Sequence, residues 1–166
     1  LPYSDPMMDG PVIQQAGTRA LARGVRTRDV FAAVEAVRST GTPAVVMTYW
    51  NLVDRYGVEA FARDLANAGG SGLITPDLIP DEAAEWMDAS DAHGLDRIFL
   101  VSPSSTGARI ASTTRACRGW VYATAVMGVT GTRSASPTAA PGLVARIRAL
   151  SPQTLVGVGL GVSTGD

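Results

Sequence analysis

The sequence predicts a single α/β domain built on a parallel sheet, and three observations lead to that prediction. Short runs rich in valine, isoleucine, leucine and aromatic residues recur along the chain, and they are continuous rather than alternating. Their starts lie roughly 22 to 35 residues apart, which fits a strand, a crossover helix and two loops. The chain has 166 residues, 46% of them hydrophobic, so it can bury a sizeable core.

The predicted elements alternate along the chain. Five apolar runs are predicted strands, at residues 43–49, 72–76, 97–102, 119–125 and 154–159. Five intervening segments are predicted helices, at residues 27–38, 58–67, 80–89, 108–117 and 141–150. The first helix has Thr27 as its candidate N-cap and an apolar stripe formed by Val30, Ala33, Val34 and Val37. This βα alternation indicates either an open doubly wound sheet or a barrel.

Two irregular segments interrupt the alternation. Residues 1–11 contain three prolines and two aspartates, and residues 128–142 follow a predicted strand directly. Loops of this length inside a compact α/β chain are more often functional than neutral connectors. We therefore expect the site to involve both segments.

Composition excludes several classes of function. The net charge of −1 leaves no electrostatic footprint for nucleic acid, and all 14 basic residues are arginines. Without lysine there is no Schiff-base chemistry and no P-loop lysine. The single cysteine, Cys117, excludes an internal disulfide and a cysteine-based zinc cluster, so we expect no metal. No run approaches a bilayer span and no signal peptide is visible, so a cytoplasmic protein is expected.

Two aspartates in the first loop are candidates for acid–base chemistry. Asp5 and Asp9 lie four residues apart, and prolines at positions 2, 6 and 11 restrict the backbone around them. A carboxylate on such a rigid loop is a candidate general acid or base. The alternative is that both carboxylates hydrogen-bond their own turn backbone.

Two glycine-rich segments follow neighbouring predicted strands, GVTG at residues 128–131 and GVGLG at residues 157–161. Glycines allow backbone N–H groups to approach a phosphate, and barrel phosphate sites lie late in the chain at strand carboxyl ends. Each segment alone is slightly more typical of a turn. Their occurrence after neighbouring strands favours an anion site.

Three further residues have side chains that can take part in chemistry. His93 precedes Gly94 at a predicted helix end, where capping is the favoured interpretation. Cys117 is interpreted as a small buried residue because no histidine lies near it in sequence. Tyr122 lies on a predicted strand, where core packing and substrate contact are both open.

The first loop, LPYSDPMMDGP at residues 1–11, together with GVTG at 128–131 and GLGVS at 159–163, closely resembles the tryptophan synthase α subunit family. The segments MTYWN at 47–51 and TPDLIP at 75–80 agree with it, and the resemblance covers all 166 residues. It implies a (β/α)₈ TIM barrel that cleaves indole-3-glycerol phosphate to indole and glyceraldehyde 3-phosphate in tryptophan biosynthesis. The chain would be one partial barrel domain, from the second βα loop to just past the seventh strand.

The resemblance also implies roles for individual residues. Asp9 matches the catalytic aspartate that accepts the indole N–H, and Tyr122 matches a tyrosine of the substrate pocket. Gly131 and Gly161 match glycines that bind the substrate phosphate, and Thr130 matches a lid threonine that meets the aspartate on closure. These assignments are expectations for the structure.

A partner subunit is implied in the same way. Pro2, Asp5 and Asn51 match positions that touch a β subunit, to which indole passes through a tunnel. The family assembles as an αββα tetramer, with pyridoxal phosphate on the β subunit and no cofactor on the α subunit.

The departures from the family pattern lead to a further expectation. The family's catalytic glutamate lies three residues before the position matched by Leu1, and the last βα unit of the phosphate site has no counterpart here. Ala125 and Val126 replace a Ser-Arg pair that many relatives carry before the lid. We therefore expect that these 166 residues alone do not cleave the substrate.

Three alternatives remain open from the sequence. One is another phosphate-binding TIM-barrel enzyme of amino-acid biosynthesis, although a lysine-free chain argues against the lysine–glutamate kind. The second is a non-catalytic α-like module that binds and activates a β subunit. The third is a complete flavodoxin-like domain, although no FMN-type loop is visible.

Overall fold

The computed structural model describes residues 1–124 and 139–159. Within these residues the seven α-helices are α1 (Pro11–Ala22), α2 (Asp29–Arg38), α3 (Trp50–Tyr56), α4 (Val58–Asn67), α5 (Ala84–Ala92), α6 (Gly107–Ala116) and α7 (Ala139–Leu150). The six strands are β1 (Val45–Met47), β2 (Gly72–Ile74), β3 (Asp96–Ile98), β4 (Leu100–Val101), β5 (Trp120–Thr124) and β6 (Leu155–Gly159). A 3₁₀ turn, Pro80–Glu82, precedes α5.

The strands are parallel and follow one another in space in the order of the chain. Strand β1 pairs with β2 and β2 with β3, while β4 pairs with β5 and β5 with β6. Only Phe99 separates β3 from β4, and its carbonyl oxygen accepts the N–H of Tyr122 at 3.0 Å. A doubly wound or flavodoxin-like sheet reverses its strand order at a switch point. The described strands contain no such reversal, which favours a barrel.

All five predicted strands are confirmed, with one difference of detail. The run predicted at 97–102 is two short strands, β3 and β4, on either side of Phe99. Phe99 is fully buried and packs into the larger core cluster. The break therefore lies within the core and does not interrupt the succession of parallel strands.

The helix predictions need several corrections. Helix α4 has the predicted bounds, but α1 and α3 were not predicted, and α7 begins at Ala139, inside the segment expected to be a loop to residue 142. The Thr27 cap is wrong, because α2 begins at Asp29 and its N-cap, Arg28, makes no side-chain cap hydrogen bond. Of the stripe predicted on α2, Val34 is buried, whereas Ala33 and Val37 are exposed.

Helices cover one face of the strands and form two apolar clusters. The larger cluster lies between β1–β3 and helices α2–α5 and includes Phe61 and Trp86, both fully buried. The smaller one joins β4 and β5 to α6 and α7 through Val121 and Ile147. Cys117 packs against both clusters, and burial raises the pKa of its thiol to about 11. Cys117 packs against the core as the sequence indicated, but it is half-buried rather than fully buried.

His93 lies where helix α5 ends, as its C-cap residue, and Gly94 follows with φ +67°. The His93 Nε2 atom lies 2.7 Å from Glu59 Oε1 of the neighbouring helix α4. The capping interpretation is confirmed. His93 has in addition a partner on a second helix.

Candidate active site

Strand alternation places a second set of side chains on the face away from the helices. Val46 and Val121 point into the core clusters, so their neighbours Met47 and Tyr122 point to the opposite side. Leu100 is the register partner of Tyr122 across β4 and β5. Met47, Leu100 and Tyr122 line one cavity on this side of the sheet.

The cavity lies where the first loop crosses the strand ends and has a volume of about 200 Å³. Apolar side chains form most of its wall, and they are Leu1, Met8, Ile13, Met47, Pro76 and Leu100. The polar lining residues are Asp9, Thr48, Tyr49 and Tyr122. Asp9 is therefore the one carboxylate in the described lining, facing an otherwise apolar space that suits an aromatic ring.

The first loop holds its two aspartates differently. The Asp5 carboxylate accepts the Ser4 hydroxyl at 2.5 Å in solvent. The backbone carbonyl of Asp9 accepts from Gln14 Nε2 at 2.8 Å, while no described residue donates a hydrogen bond to the Asp9 carboxylate. The alternative that both carboxylates bond their own turn backbone is thus not observed. As far as the described residues go, the Asp9 carboxylate keeps its acceptor capacity for a ligand.

Tyr49 fixes this loop to the end of β1. Its hydroxyl oxygen accepts the backbone N–H of Met8 at 2.8 Å, and its ring lies 5.2 Å from the ring of Tyr3 between centroids. Tyr49 is 5% exposed, and this burial raises the pKa of its hydroxyl above the usual value. The residue before Asp9 is therefore anchored to a rigid strand end.

Tyr122 is positioned by glycines on the neighbouring strand. Gly157 is its register partner on β6, and the side of Gly159 faces the Tyr122 hydroxyl so closely that a Cβ there would overlap it. Gly157 similarly makes room for the ring of Trp120. Both glycines lie within β6 rather than in the turn that a phosphate-binding interpretation of GVGLG would give them. Their absent side chains allow Tyr122 to reach the cavity.

Comparison with known proteins identifies the family. The sequence profile described as tryptophan synthase alpha chain matches residues 1–166. The chain belongs to the tryptophan synthase alpha chain family. The alpha chain of Salinispora tropica is 67% identical over 151 residues, covering 91% of this chain and 57% of that protein. The alpha chain of Mycobacterium marinum is 66% identical over 162 residues, covering 98% of this chain and 60% of that one.

Solved structures agree with this assignment. A tryptophan synthase structure from Mycobacterium tuberculosis superimposes with a TM-score of 0.91 at 64% identity, covering 98% of this chain and 62% of that chain. A chain from the α2β2 complex of Pyrococcus furiosus gives a TM-score of 0.87 at 34% identity, with coverages of 98% and 66%. The predicted TIM-barrel class is confirmed. The chain spans 57 to 62% of the length of the relatives first named here.

The three residues predicted from the sequence to contact a partner lie around one aromatic contact. Asn51 is exposed at the start of α3, and its Nδ2 donates to the Tyr3 hydroxyl at 3.0 Å. Pro2 and Asp5 flank Tyr3 in the first loop. Since Tyr3 packs on Tyr49, this surface and the cavity share one support.

Several expected site residues cannot be located. Thr130, Gly131 and Gly161 lie outside the described residues, as do Ala125 and Val126. Within residues 1–124 and 139–159, no group of three or more His, Cys, Asp or Glu residues could hold a metal ion. The same part of the chain contains no helix long and apolar enough to cross a membrane.

The sequence did not predict all of the residues that line the cavity. Tyr49, Ile13 and Leu100 line it without having been predicted. The signal for Tyr49 was its place at the carboxyl end of an apolar run, which is where barrel enzymes place their site residues. Ile13 follows the first loop by only a few residues, on the first turn of α1.

Proposed function

We propose that the full-length protein, which contains these 166 residues, is a tryptophan synthase α subunit. It cleaves indole-3-glycerol phosphate to indole and glyceraldehyde 3-phosphate in tryptophan biosynthesis. One observation carries the proposal most directly. Asp9 and Tyr122 line a single apolar cavity on the face of the sheet away from the helices. Family membership supports the same reaction, a carbon–carbon lyase step.

The geometry suits this chemistry because the reaction develops positive charge on an apolar ring. A proton is added at the indole C3, and a proton leaves the hydroxyl on the glycerol carbon that is bonded to this C3. The bond between these two carbons then breaks, which gives indole and the aldehyde. The Asp9 carboxylate, which no described donor occupies, can accept the indole N–H and stabilise the charge formed on protonation. The surrounding apolar wall strengthens that interaction by excluding water.

The remaining site residues follow the family resemblance. Tyr122 contacts the substrate in the cavity that it lines. Thr130 closes over the site, and backbone N–H groups at Gly131 and Gly161 bind the phosphate. In this proposal the α subunit needs no cofactor of its own, and pyridoxal phosphate resides on the partner. These 166 residues contain no lysine that could form a Schiff base with it.

The 166 residues alone do not catalyse the reaction in this proposal. The cavity lining described here includes one carboxylate, Asp9, whereas the protonation and deprotonation steps call for a second acid–base group. We assign that second role to the glutamate that the family carries three residues before the position matched by Leu1. Turnover of indole-3-glycerol phosphate by the purified 166-residue chain, abolished by Asp9→Asn, would overturn this statement.

A β subunit is the proposed partner, in an αββα assembly located in the cytoplasm. Pro2, Asp5 and Asn51 would contact it, and their common support with the cavity through Tyr3 and Tyr49 would link docking to the active site. A relative of known structure, from Pyrococcus furiosus, is part of an α2β2 complex.

A non-catalytic module that only docks on a β subunit and activates it is the second candidate, favoured by the exposure of Asp5 and Asn51. The two candidates are separated by measuring indole release by the full-length chain and its effect on β-subunit turnover. Indole release with a kcat reduced by Asp9→Asn supports the lyase. Activation of the β subunit without indole release supports the docking module and contradicts the lyase.

A further inference from the structure

A second cavity lies at the outer side of the barrel, between the loop that precedes α2 and helix α3. Its volume is about 450 Å³, and its lining residues are Arg26, Thr27, Arg28, Leu52, Arg55 and Tyr56. It shares no lining residue with the cavity that contains Asp9. Three of its six lining residues are therefore arginines, contributed by two separate elements of the fold.

These three guanidinium groups are not neutralised by the rest of the described chain. The described ion pairs of arginine use Arg63, Arg97, Arg109 and Arg118. Among the described residues, the Arg26 guanidinium donates only to the carbonyl of its neighbour Val25, at 3.0 Å. The nearby Asp29 carboxylate accepts the backbone N–H of Arg26 at 2.7 Å. All three arginines are exposed and line the same cavity, so an anion bound there can accept hydrogen bonds from each of them.

Tyr56 and Leu52 give the cavity an apolar part that is held in place. The Tyr56 hydroxyl donates to Asp64 Oδ2 at 2.7 Å. Its ring packs edge-on against Phe31 and Phe61, with centroid separations of 5.6 and 5.9 Å. The aromatic side chain is thus fixed from three directions. A ligand with a ring or alkyl part can lie on this surface while its charged end meets the arginines.

We propose that the cavity lined by Arg26, Arg28 and Arg55 is a binding site for a small molecule that carries a phosphate group on an apolar body. Guanidinium groups donate two parallel N–H bonds to phosphate oxygens, and the Thr27 hydroxyl adds a further donor. Leu52 and Tyr56 contact the apolar body. The site is separate from the proposed lyase site, so a test of this proposal does not depend on the lyase function.

The test is a titration of the ¹⁵N-labelled full-length protein with phenyl phosphate, observed at the arginine Nε–H signals. Each signal is assigned from a single Arg→Gln variant. The signals of Arg26, Arg28 and Arg55 are expected to shift with one common Kd, while those of Arg115 and Arg148 do not follow it. Inorganic phosphate is expected to bind more weakly at the same signals, because it lacks the apolar part.

A double variant, Arg28→Gln with Arg55→Gln, is expected to weaken phenyl phosphate binding about tenfold or more. The matched control, Arg115→Gln with Arg148→Gln, removes the same charge from exposed positions on α6 and α7 and should change Kd less than about twofold. Unsaturable shifts at all arginines would overturn the proposal as simple charge screening. If a hexaglutamate peptide saturates these shifts and phenyl phosphate does not, the proposal is wrong and the surface docks a protein instead.

Discussion

The hydroxyl oxygen of Tyr49 accepts the backbone N–H of Met8 at 2.8 Å, joining positions 41 residues apart in the chain. Met8 immediately precedes Asp9, and Tyr49 is buried at the end of β1. One side chain on a rigid strand end therefore fixes the loop that carries the proposed catalytic carboxylate. Because a small misplacement of a catalytic group costs rate, this contact has a consequence for turnover.

Replacing Tyr49 by phenylalanine removes the hydroxyl that accepts the Met8 N–H. We expect kcat for indole release by the full-length protein to fall about tenfold, with a loss of stability of about 1 kcal/mol. Tyr56→Phe is the matched control, since it removes a hydrogen bond to Asp64 away from the cavity. It should cost similar stability in urea unfolding and leave kcat unchanged. Equal kcat values for the two variants would contradict the positioning role of Tyr49.

Two buried threonines provide a test of the core. Thr75 is 1% exposed and its Oγ1 has no hydrogen-bond partner among the described residues, whereas Thr124 Oγ1 donates to the Val101 carbonyl at 3.2 Å. Thr75→Val should therefore be neutral or stabilising by up to about 1 kcal/mol, and Thr124→Val should destabilise by about 1 kcal/mol. Urea unfolding of both variants measures the difference. A loss of stability in Thr75→Val equal to that of Thr124→Val would show that its hydroxyl has a partner.

Gly159 is predicted to be essential for the position of Tyr122. A methyl group at Gly159 would overlap the Tyr122 hydroxyl, so Gly159→Ala should displace that ring and raise KM for the substrate about tenfold or more. Gly142→Ala is the control, because an added Cβ there meets nothing within 4 Å and alanine favours the helix. It should leave KM unchanged. A normal KM in Gly159→Ala would show that Tyr122 does not contact the substrate.

The ion pair between Arg97 and Asp91 predicts a specific dependence of stability on pH. Arg97 donates to Asp91 Oδ1 at 2.6 Å, and this hydrogen bond holds the pKa of Asp91 below its usual value. The stabilisation is present above the unfolded pKa of about 3.9 and is lost as pH falls through the folded pKa. Asp91→Asn should therefore be less stable than the wild type at pH 7, and the difference should shrink as pH falls below about 4.

Asp88→Asn is the control for this measurement, because Asp88 lies on the same helix and forms no ion pair with a described residue. Its stability should follow the wild type at every pH. A pH-independent loss of stability in Asp91→Asn would show that packing, rather than charge, accounts for the effect.

Much of the fold could be predicted because burial leaves a readable pattern. Strand β2 is buried at all three positions and forms a continuous apolar run, and α4 buries Val58, Phe61 and Leu65 on one side. Helix α1 buries none of its residues, so it lacks the core-facing side that α4 has. Helix α3 has only seven residues, too few for a clear period. The error at Thr27 arose because the Asp29 side chain, not that of Thr27, bonds the turn backbone.

The candidate site could be predicted where its residues lie in a characteristic motif and not where tertiary contacts define it. Asp9 belongs to the proline-braced first loop, and Tyr122 lies on a strand flanked by small residues. The anchoring role of Tyr49 depends on a hydrogen bond to a backbone group 41 residues away, which no local pattern encodes. The strand position of Gly159 and its fit to Tyr122 likewise depend on the register of β5 and β6.

The most direct test of the proposed lyase compares the two aspartates of the first loop. Asp9 lines the cavity, while the Asp5 carboxylate accepts a hydrogen bond from Ser4 in solvent. The variants Asp9→Asn and Asp5→Asn therefore make the same chemical change at two positions of one loop that differ in their surroundings. Indole release from indole-3-glycerol phosphate should fall at least about 100-fold in the full-length Asp9→Asn variant and change little in Asp5→Asn when no β subunit is present. Equal rates in the two variants would contradict the assignment of Asp9 to catalysis.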